Sequence, residues 1–560
     1  MRSIFKKPFV IFVAFFFLIA LILRLWQLDK IPVSLFGDEI DVGLQAYSIL
    51  TTGKDYMGNN LPVMFHSFSE YRLPMQLYLA VPFIKASGLN EIGVRGAPVL
   101  MGFLSIIGLY FLAKEAFGKK AAIIAALFMA FSPWHFMFSR QANDAGILLP
   151  FVLFGTYFFV RGVKDYRYLF ASAVFFGLAI YSYAIASLFV PLFVVVLALI
   201  YRKNILRFSP KKLVLPVIVG ILILLPYTFL SLSGRTTQRF SYITVAPKKE
   251  VIAEVEARRK WSNAAFSRVF NNKVVVIGER IINNYSKSLS INFLFSEGDP
   301  NPRQSVAGYG LFYHFDLLLI LLAFWAVAPG FSKLPQEKKN IFLALGLWLI
   351  LAPIPSDLTQ GGGTHASRLI LMLPPLILFS AIGLESLLKG THNVKGKLVM
   401  GVFVLLMVFE ATKFFQSYFV IWPKESWRAW QSGFKEVGTF LKANSDKYQR
   451  VFLNNTYEPM LPRFLFWYGY DMKLFQREFV DDKHILGIYP GFDGFKLGDK
   501  FYFGDLKKPI ENLALPENLI VASTEKDVTD PYIFDNPRLN LLDIVYSPIK
   551  STIFYIYTGQ

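Results

Sequence analysis

The feature that most constrains this chain is a series of apolar runs, each about as long as a bilayer core is thick. They cover residues 8–28, 95–113, 120–138, 145–160, 168–184, 186–201, 213–232, 310–330, 340–354, 369–388 and 398–414. About 20 apolar residues in a helix cross the hydrocarbon, and a backbone in lipid must satisfy its own hydrogen bonds. The expected architecture is therefore mainly α, a polytopic membrane protein with about 11 transmembrane helices. Composition agrees, since 54% of the 560 residues are hydrophobic and 17% aromatic, which is too apolar for a soluble globule. The basic start "MRSIFKK" running into the first apolar stretch reads as an uncleaved signal anchor. Residues 74–87, "PMQLYLAVPFIKAS", are apolar but short, which suits a helix lying at the interface.

Charge decides orientation. With the N-terminus inside, the inside segments are 2–7, 114–120, 161–167, 202–212, 333–339 and 389–397. They carry 20 Lys and Arg against only Glu115, Asp165 and Glu337, so 17 of the formal net charge of +19 falls on one side. That is the positive-inside asymmetry of a multi-pass protein, and it accounts for the basic excess without a nucleic-acid partner. The expected location is the plasma (inner) membrane, with a cytoplasmic N-terminus and an extracytoplasmic C-terminal domain. No cysteine is present, which excludes disulfides and thiolate chemistry.

Two long loops, 29–94 and 233–309, and the segment "PSDLTQGGGTHASR" at 355–368 then lie outside. Within the second loop, "EVIAEVEARRKWSNAAFSRVF" has helical periodicity with mixed charge, as expected of a helix along the membrane surface. The pattern changes near residue 415. "ESWRAWQSGFKEVGTFLKA" reads as an amphipathic helix, and "PMLPRFLFWYGY" as helical between short strand-like runs. Those runs are "RVFLN", "KFYFG", "NLIVAS", "LLDIVYS" and "TIFYIYT", which together predict a small α/β domain. The division expected is a transmembrane domain over 1–414 with outer loops 29–94 and 233–309, and a C-terminal α/β domain over 415–560. No glycine-rich phosphate loop marks a nucleotide site.

Chemistry-bearing residues collect on the outer side. "GDE" (Gly37 to Glu39), "SRQAND" (Ser139 to Asp144) and "SEGDPNPRQS" (Ser296 to Ser305) each adjoin a span. Asp38 and Asp144 are thus expected at one membrane depth. A carboxylate pair there supplies a general base, holds a divalent metal on oxygen ligands, or does both; the alternative is two solvated loop caps. His66, His135, His314 and His365 also fall outside or at the outer boundary, but their spacing matches no compact ligand motif.

These stretches, in this order, resemble the C-class integral-membrane glycosyltransferases that use polyprenyl-phosphate sugars, a superfamily including protein O-mannosyltransferases and aminoarabinose transferases. The likeness is carried by "GDEIDVGLQAYSIL", "YRLPMQLYLAVPFIKASG", "VRGAPVLMG", "SPWHFMFSRQANDAGILLPF", "FLFSEGDPNPRQSVAGYG" and "PIPSDLTQGGGTHASRLILMLPPL". The resemblance implies an inverting transfer of a sugar from a polyprenyl-phosphate donor to an acceptor hydroxyl on a protein, glycolipid or cell-surface polymer. It implies Asp38 as the catalytic acid of the first loop, Glu39 as its companion and Asp144 as the second acidic position. Arg72 stands where relatives often have Lys before Pro-Pro-Leu, here with Leu73 in place of one proline, and Gln304 where they often have His. Arg72, Arg303 and Arg368 are candidates for the lipid phosphate, because a guanidinium grips phosphate oxygens as a fork. Arg303 as a turn cap and Arg368 as a headgroup anchor are the structural alternatives. A transporter or lipid-linked-sugar flippase is the alternative function, but such proteins place ionisable groups near mid-bilayer in broken helices.

Overall fold

The structure is a computed structural model. It describes residues 6–68, 70–234, 243–261, 264–389, 393–507, 510–524 and 536–560. A helix occupies each of the eleven apolar runs. Among the described residues, seven are long and apolar enough to cross a membrane: Glu91–Phe117, Asp144–Gly162, Pro210–Leu232, His314–Lys333, Gln336–Asp357, Ile370–Lys389 and Val394–Glu425. Val13–Leu25, Arg167–Ile180 and Ala186–Ile200 are shorter apolar helices, and the run 120–138 is broken at Ser132 into Lys119–Phe131 and Pro133–Phe138. Pro133 cannot donate to the helical ladder and marks the break. The short run at 74–87 is also a helix, Pro74–Ser87.

Two compact units divide the chain. The first comprises Met1–Trp26, Ser69–Gln76 and Ala97–Tyr418, and the second Gln27–Phe68, Leu77–Gly96 and Phe419–Gln560.

In the first unit, Asp144–Gly162 packs on Arg167–Ile180, and His314–Val327 packs on Leu373–Lys389. The second contact is close enough that a Cβ at Gly383 would lie 1.9 Å from the Leu319 carbonyl oxygen. Small residues at such crossings let helix backbones meet where lipid offers no hydrophobic drive between them. Pro210–Leu232 has no buried residue although it is wholly apolar at its centre, as a lipid-facing helix requires. The end of the first helix, Lys6–Leu25, is closed from elsewhere. Arg140 Nη1 donates to the carbonyls of Leu23 (2.6 Å) and Arg24 (2.8 Å), and its Nη2 to that of Trp26 (2.9 Å). These acceptors are among those a helix C-terminus leaves without intrahelical partners. Outside the spans, Lys248–Lys260 and Ala264–Phe270 form within the run predicted helical, with residues 262–263 outside the described residues.

The second unit holds a seven-stranded mixed sheet: β1 (Arg450–Asn454), β2 (Ile485–Tyr489), β3 (Phe492–Leu497), β4 (Phe501–Leu506), β5 (Asn518–Ser523), β6 (Leu539–Tyr546) and β7 (Thr552–Gly559). The order is β2-β3-β4-β1-β5-β7-β6. Central β1 runs parallel to β4 and β5, and the outer pairs are antiparallel. Phe452, Phe492, Tyr502, Ile520 and Tyr557 fill one face. The hairpin β2–β3 was not expected. Its glycines, with Gly487 and Gly491 at positive φ, disguise the strand pattern. The amphipathic helix predicted from residue 425 is shorter than expected, Phe434–Asn444. Left-handed Gln431 (φ 56°) and Gly433 (φ 102°) turn the chain before it. Helix Gly37–Thr52, from the loop 29–94, belongs to this same unit and packs on Met460–Phe464 and Met472–Glu478.

Candidate active site

Asp38 and Glu39 open helix Gly37–Thr52, in its first turn, where the partial positive charge of the helix end favours carboxylates. Phe36 provides no side-chain cap. Instead the Gln431 side-chain oxygen accepts from the Gly37 N–H at 2.9 Å and also from Arg463 Nη2. Asp38 is half-buried. Its neighbour Glu39 is fully buried and paired with Arg95, Nη2 to Oε2 at 3.0 Å and Nε to Oε1 at 3.3 Å, both side chains 0% exposed. Arg95 spends its remaining donors on the carbonyls of Leu28 (2.9 Å), Pro32 (3.0 Å) and Ser34 (2.5 Å). One guanidinium thus fixes both the approach to Asp38 and the helix that bears it. Asp41 accepts from Tyr56 Oη at 2.6 Å and Ser67 Oγ at 2.9 Å, tying the same helix to the loop that follows. Burial, then the Asp41 charge, push the Tyr56 phenol up.

Asp144, Arg72, Arg303 and Arg368 belong to the first unit. Asp144 begins helix Asp144–Gly162 behind Asn143, whose Oδ1 accepts from the Ala145 N–H at 2.9 Å, so this carboxylate also sits at a helix N-terminus. Arg72 is buried, and Asp144 is half-buried.

Three of the polar stretches converge within this unit. Gln141 of "SRQAND" donates from Nε2 to the Arg303 carbonyl at 2.9 Å. Gln304 Oε1 accepts from the Ser367 N–H at 3.1 Å. Asp299 does more: Oδ2 accepts from the Ala366 N–H at 2.7 Å and Oδ1 from the Asn301 N–H at 2.7 Å. Asn301 Oδ1 accepts in turn from the Arg303 N–H at 3.1 Å. Burial raises Asp299 to about 6, while those two N–H groups and then Arg303 and Arg368 pull it back down. Arg368 donates from Nη1 to Thr359 Oγ1 (2.7 Å) and the Gln360 carbonyl (3.2 Å). His365 Nδ1 lies 3.0 Å from Ser367 Oγ.

The "GGG" run explains how the loop 355–368 reaches this geometry. Gly361 is left-handed (φ 63°), and a Cβ on Gly362 would sit 1.8 Å from the Ser356 carbonyl oxygen. A Cβ on Gly363 would lie 2.4 Å from the Asn284 carbonyl oxygen. Only glycine allows that approach.

The histidines are dispersed. His135 is buried between Arg24 Nη2 (2.9 Å) and Ser105 Oγ (2.7 Å), and His314 pairs with Glu410 at 2.9 Å. Among the described residues, no three His, Asp or Glu side chains gather as a metal site. Asp299, Gln141 and Ser367 were not singled out from sequence, and His365 was noted only as one of four outer histidines. Asp299 had a readable signal, an acid two residues before Asn301 in a proline-interrupted turn; the others had none.

Comparison with known proteins bears on this cluster. Residues 72–229 match the family described as dolichyl-phosphate-mannose-protein mannosyltransferase. Among solved structures, ArnT from Cupriavidus metallidurans bound to undecaprenyl phosphate aligns over 97% of this chain and 98% of its own, at 14% identity and TM-score 0.54. At that identity the likeness is one of fold, and the family match covers residues 72–229 alone. ArnT in the apo state aligns over 98% of both chains, at 13% identity and TM-score 0.53, which is likeness of fold. A search of curated protein sequences returns no match.

Proposed function

We propose that this protein transfers a sugar from a polyprenyl-phosphate donor to an acceptor hydroxyl on the extracytoplasmic face of the membrane. The observation that carries the reading is the loop cluster of the first unit, where Arg303 and Arg368 both bear on one buried carboxylate, Asp299. Polar loops meeting beside a lipid phase suit a substrate with an anionic head and an apolar tail. The match to the mannosyltransferase family supports the donor class, as does the fold shared with ArnT, which was solved with undecaprenyl phosphate. The charge asymmetry of the connecting segments supports the side.

A sugar on a phosphodiester has an activated anomeric carbon. The acceptor oxygen attacks that carbon as its bond to the phosphate oxygen breaks. The hydroxyl proton must go to a base, and the negative charge to the leaving phosphate. Asp38 is the base. Glu39, locked to Arg95, holds the helix start that presents it. Asp144 is the second acid, orienting sugar or acceptor. Arg72, Arg303 and Arg368 take the phosphate. The transmembrane domain over 1–414 carries this chemistry, and the C-terminal domain over 415–560 faces the acceptor outside.

The test is incubation of the purified protein in liposomes with a panel of labelled undecaprenyl-phosphate sugars and an extracytoplasmic extract as acceptor source. Label leaving the lipid for a protein, glycolipid or polymer fraction is expected. Failure with every sugar in the panel would contradict the reading.

A further inference from the structure

Asp299 is 6% exposed, yet no lysine or arginine makes a direct ion pair with it among the described contacts. Its two oxygens are instead committed to two backbone N–H groups, one on its own loop at Asn301 and one on the facing loop at Ala366. Each tie lies two residues from an arginine assigned above to the phosphate: Asn301 precedes Arg303, and Ala366 precedes Arg368. Arg303 is held further through its own N–H on Asn301 Oδ1 and Arg368 through Thr359. We propose that Asp299 is the positioning residue that sets the spacing of the Arg303 and Arg368 guanidiniums for the lipid phosphate. The proposal rests on the glycosyltransferase reading for its ligand and gives Asp299 a role that reading leaves open.

The geometry makes the requirement specific to a carboxylate. Both atoms that face N–H groups must be acceptors. An asparagine offers one acceptor and one N–H₂, so in either orientation a donor confronts a donor and one of the two ties is lost. The side chain keeps its shape and its place. The charges acting on Asp299 are Arg303 on its own loop and Arg368 on the loop opposite, so the carboxylate also screens two cations that would otherwise repel. Removing the charge alone would strengthen phosphate binding. Losing the tie weakens it, and the positional effect is the larger because a displaced fork forfeits a charge-assisted hydrogen bond, worth roughly ten- to a hundredfold in affinity.

The experiment measures binding of undecaprenyl phosphate, and of undecaprenol as a control, to the full-length protein in lipid nanodiscs. Wild-type protein should prefer the phosphate. Asp299→Asn should bind the phosphate roughly tenfold or more weakly and the alcohol as wild type does. In the double variant Asp299→Asn/Arg368→Gln, the loss should be smaller than the sum of the two single losses, because part of the Asp299 effect passes through Arg368. Unchanged phosphate affinity in Asp299→Asn, or additive losses in the double variant, would overturn the proposal. Wild-type protein that does not distinguish phosphate from alcohol would instead sink the lipid-phosphate reading itself. If Asp299→Asn does not fold, Asp299→Glu decides: its longer reach should shift phosphate affinity and spare the alcohol, and wild-type affinity there would overturn the role.

Discussion

Replacing Arg95 with methionine removes one partner of the buried pair that holds Glu39 beside Asp38. The perturbation leaves the Glu39 carboxylate fully buried without its cation, and takes a donor from the carbonyls of Leu28, Pro32 and Ser34. Removing one member of a buried ion pair typically costs about 3–5 kcal/mol. Orphaned carbonyls would add about 1 kcal/mol each where water cannot reach them. With all three carbonyls dry, Arg95→Met should therefore lose about 6–8 kcal/mol in the second unit. Glu39→Gln keeps the volume and one of the two acceptors, turns an N–H₂ toward the guanidinium in place of the other, and leaves Arg95 three carbonyls, so about 1.5–3 kcal/mol is expected. The double variant Glu39→Gln/Arg95→Met contains no unpaired charge and should be more stable than Arg95→Met alone. The assay is hydrogen exchange of residues 28–52 in detergent, read as the free energy of local opening, beside global denaturation. If Arg95→Met protects that segment as wild type does, or the double variant is the weakest of the set, the pair does not hold the helix start.

Other outcomes follow from single features. Gly362→Ala should cost at least about 1–3 kcal/mol, since its Cβ meets a backbone carbonyl that cannot rotate away, whereas Gly346→Ala, with open space around it, should be neutral or mildly stabilising; thermal unfolding of the pair checks this. Asp299 is raised from 3.8 to about 6, so the folded protein holds that proton more tightly than the unfolded chain. Its stabilising contribution is complete below pH 3.8 and lost as pH rises through 6, by about 3 kcal/mol at most, and Asp299→Asn should remove this component from the stability–pH profile. Exposed Lys447 changed to cysteine in this cysteine-free chain should react with an impermeant thiol reagent in intact cells, and Lys203→Cys only after lysis; the reverse pattern would invert the orientation.

What was legible in the sequence was what long-range periodicity encodes. Each apolar run became a helix because length and hydropathy leave lipid-embedded backbone no other solution. Strands such as "RVFLN" and "NLIVAS" were readable as short β-rich runs that become central and buried. Three kinds of feature were hidden. The hairpin Ile485–Tyr489 and Phe492–Leu497 is rich in glycine, so its pattern reads as turn. The attachment of helix Gly37–Thr52 to Met460–Phe464 depends on residues more than 400 positions apart, including Gly43, where a Cβ would lie 2.4 Å from the Phe466 ring. The third was the division of labour among neighbouring acids. Asp38, Glu39 and Asp41 look alike in the chain, yet Glu39 is locked to Arg95 and Asp41 to Tyr56 and Ser67. Those partners come from distant segments, so no local rule distinguishes the three carboxylates.

The central claim is that Asp38 takes the acceptor proton while a lipid phosphate departs. It is tested most directly by measuring release of polyprenyl phosphate from a labelled polyprenyl-phosphate sugar, in the presence of acceptor, for wild type and Asp38→Asn at matched fold and donor binding. Asparagine preserves the shape of the side chain and removes its basicity. Loss of a general base lowers turnover about 10²- to 10⁴-fold, so the account predicts release falling by that factor with donor affinity unchanged. Turnover within a few-fold of wild type in Asp38→Asn would contradict it.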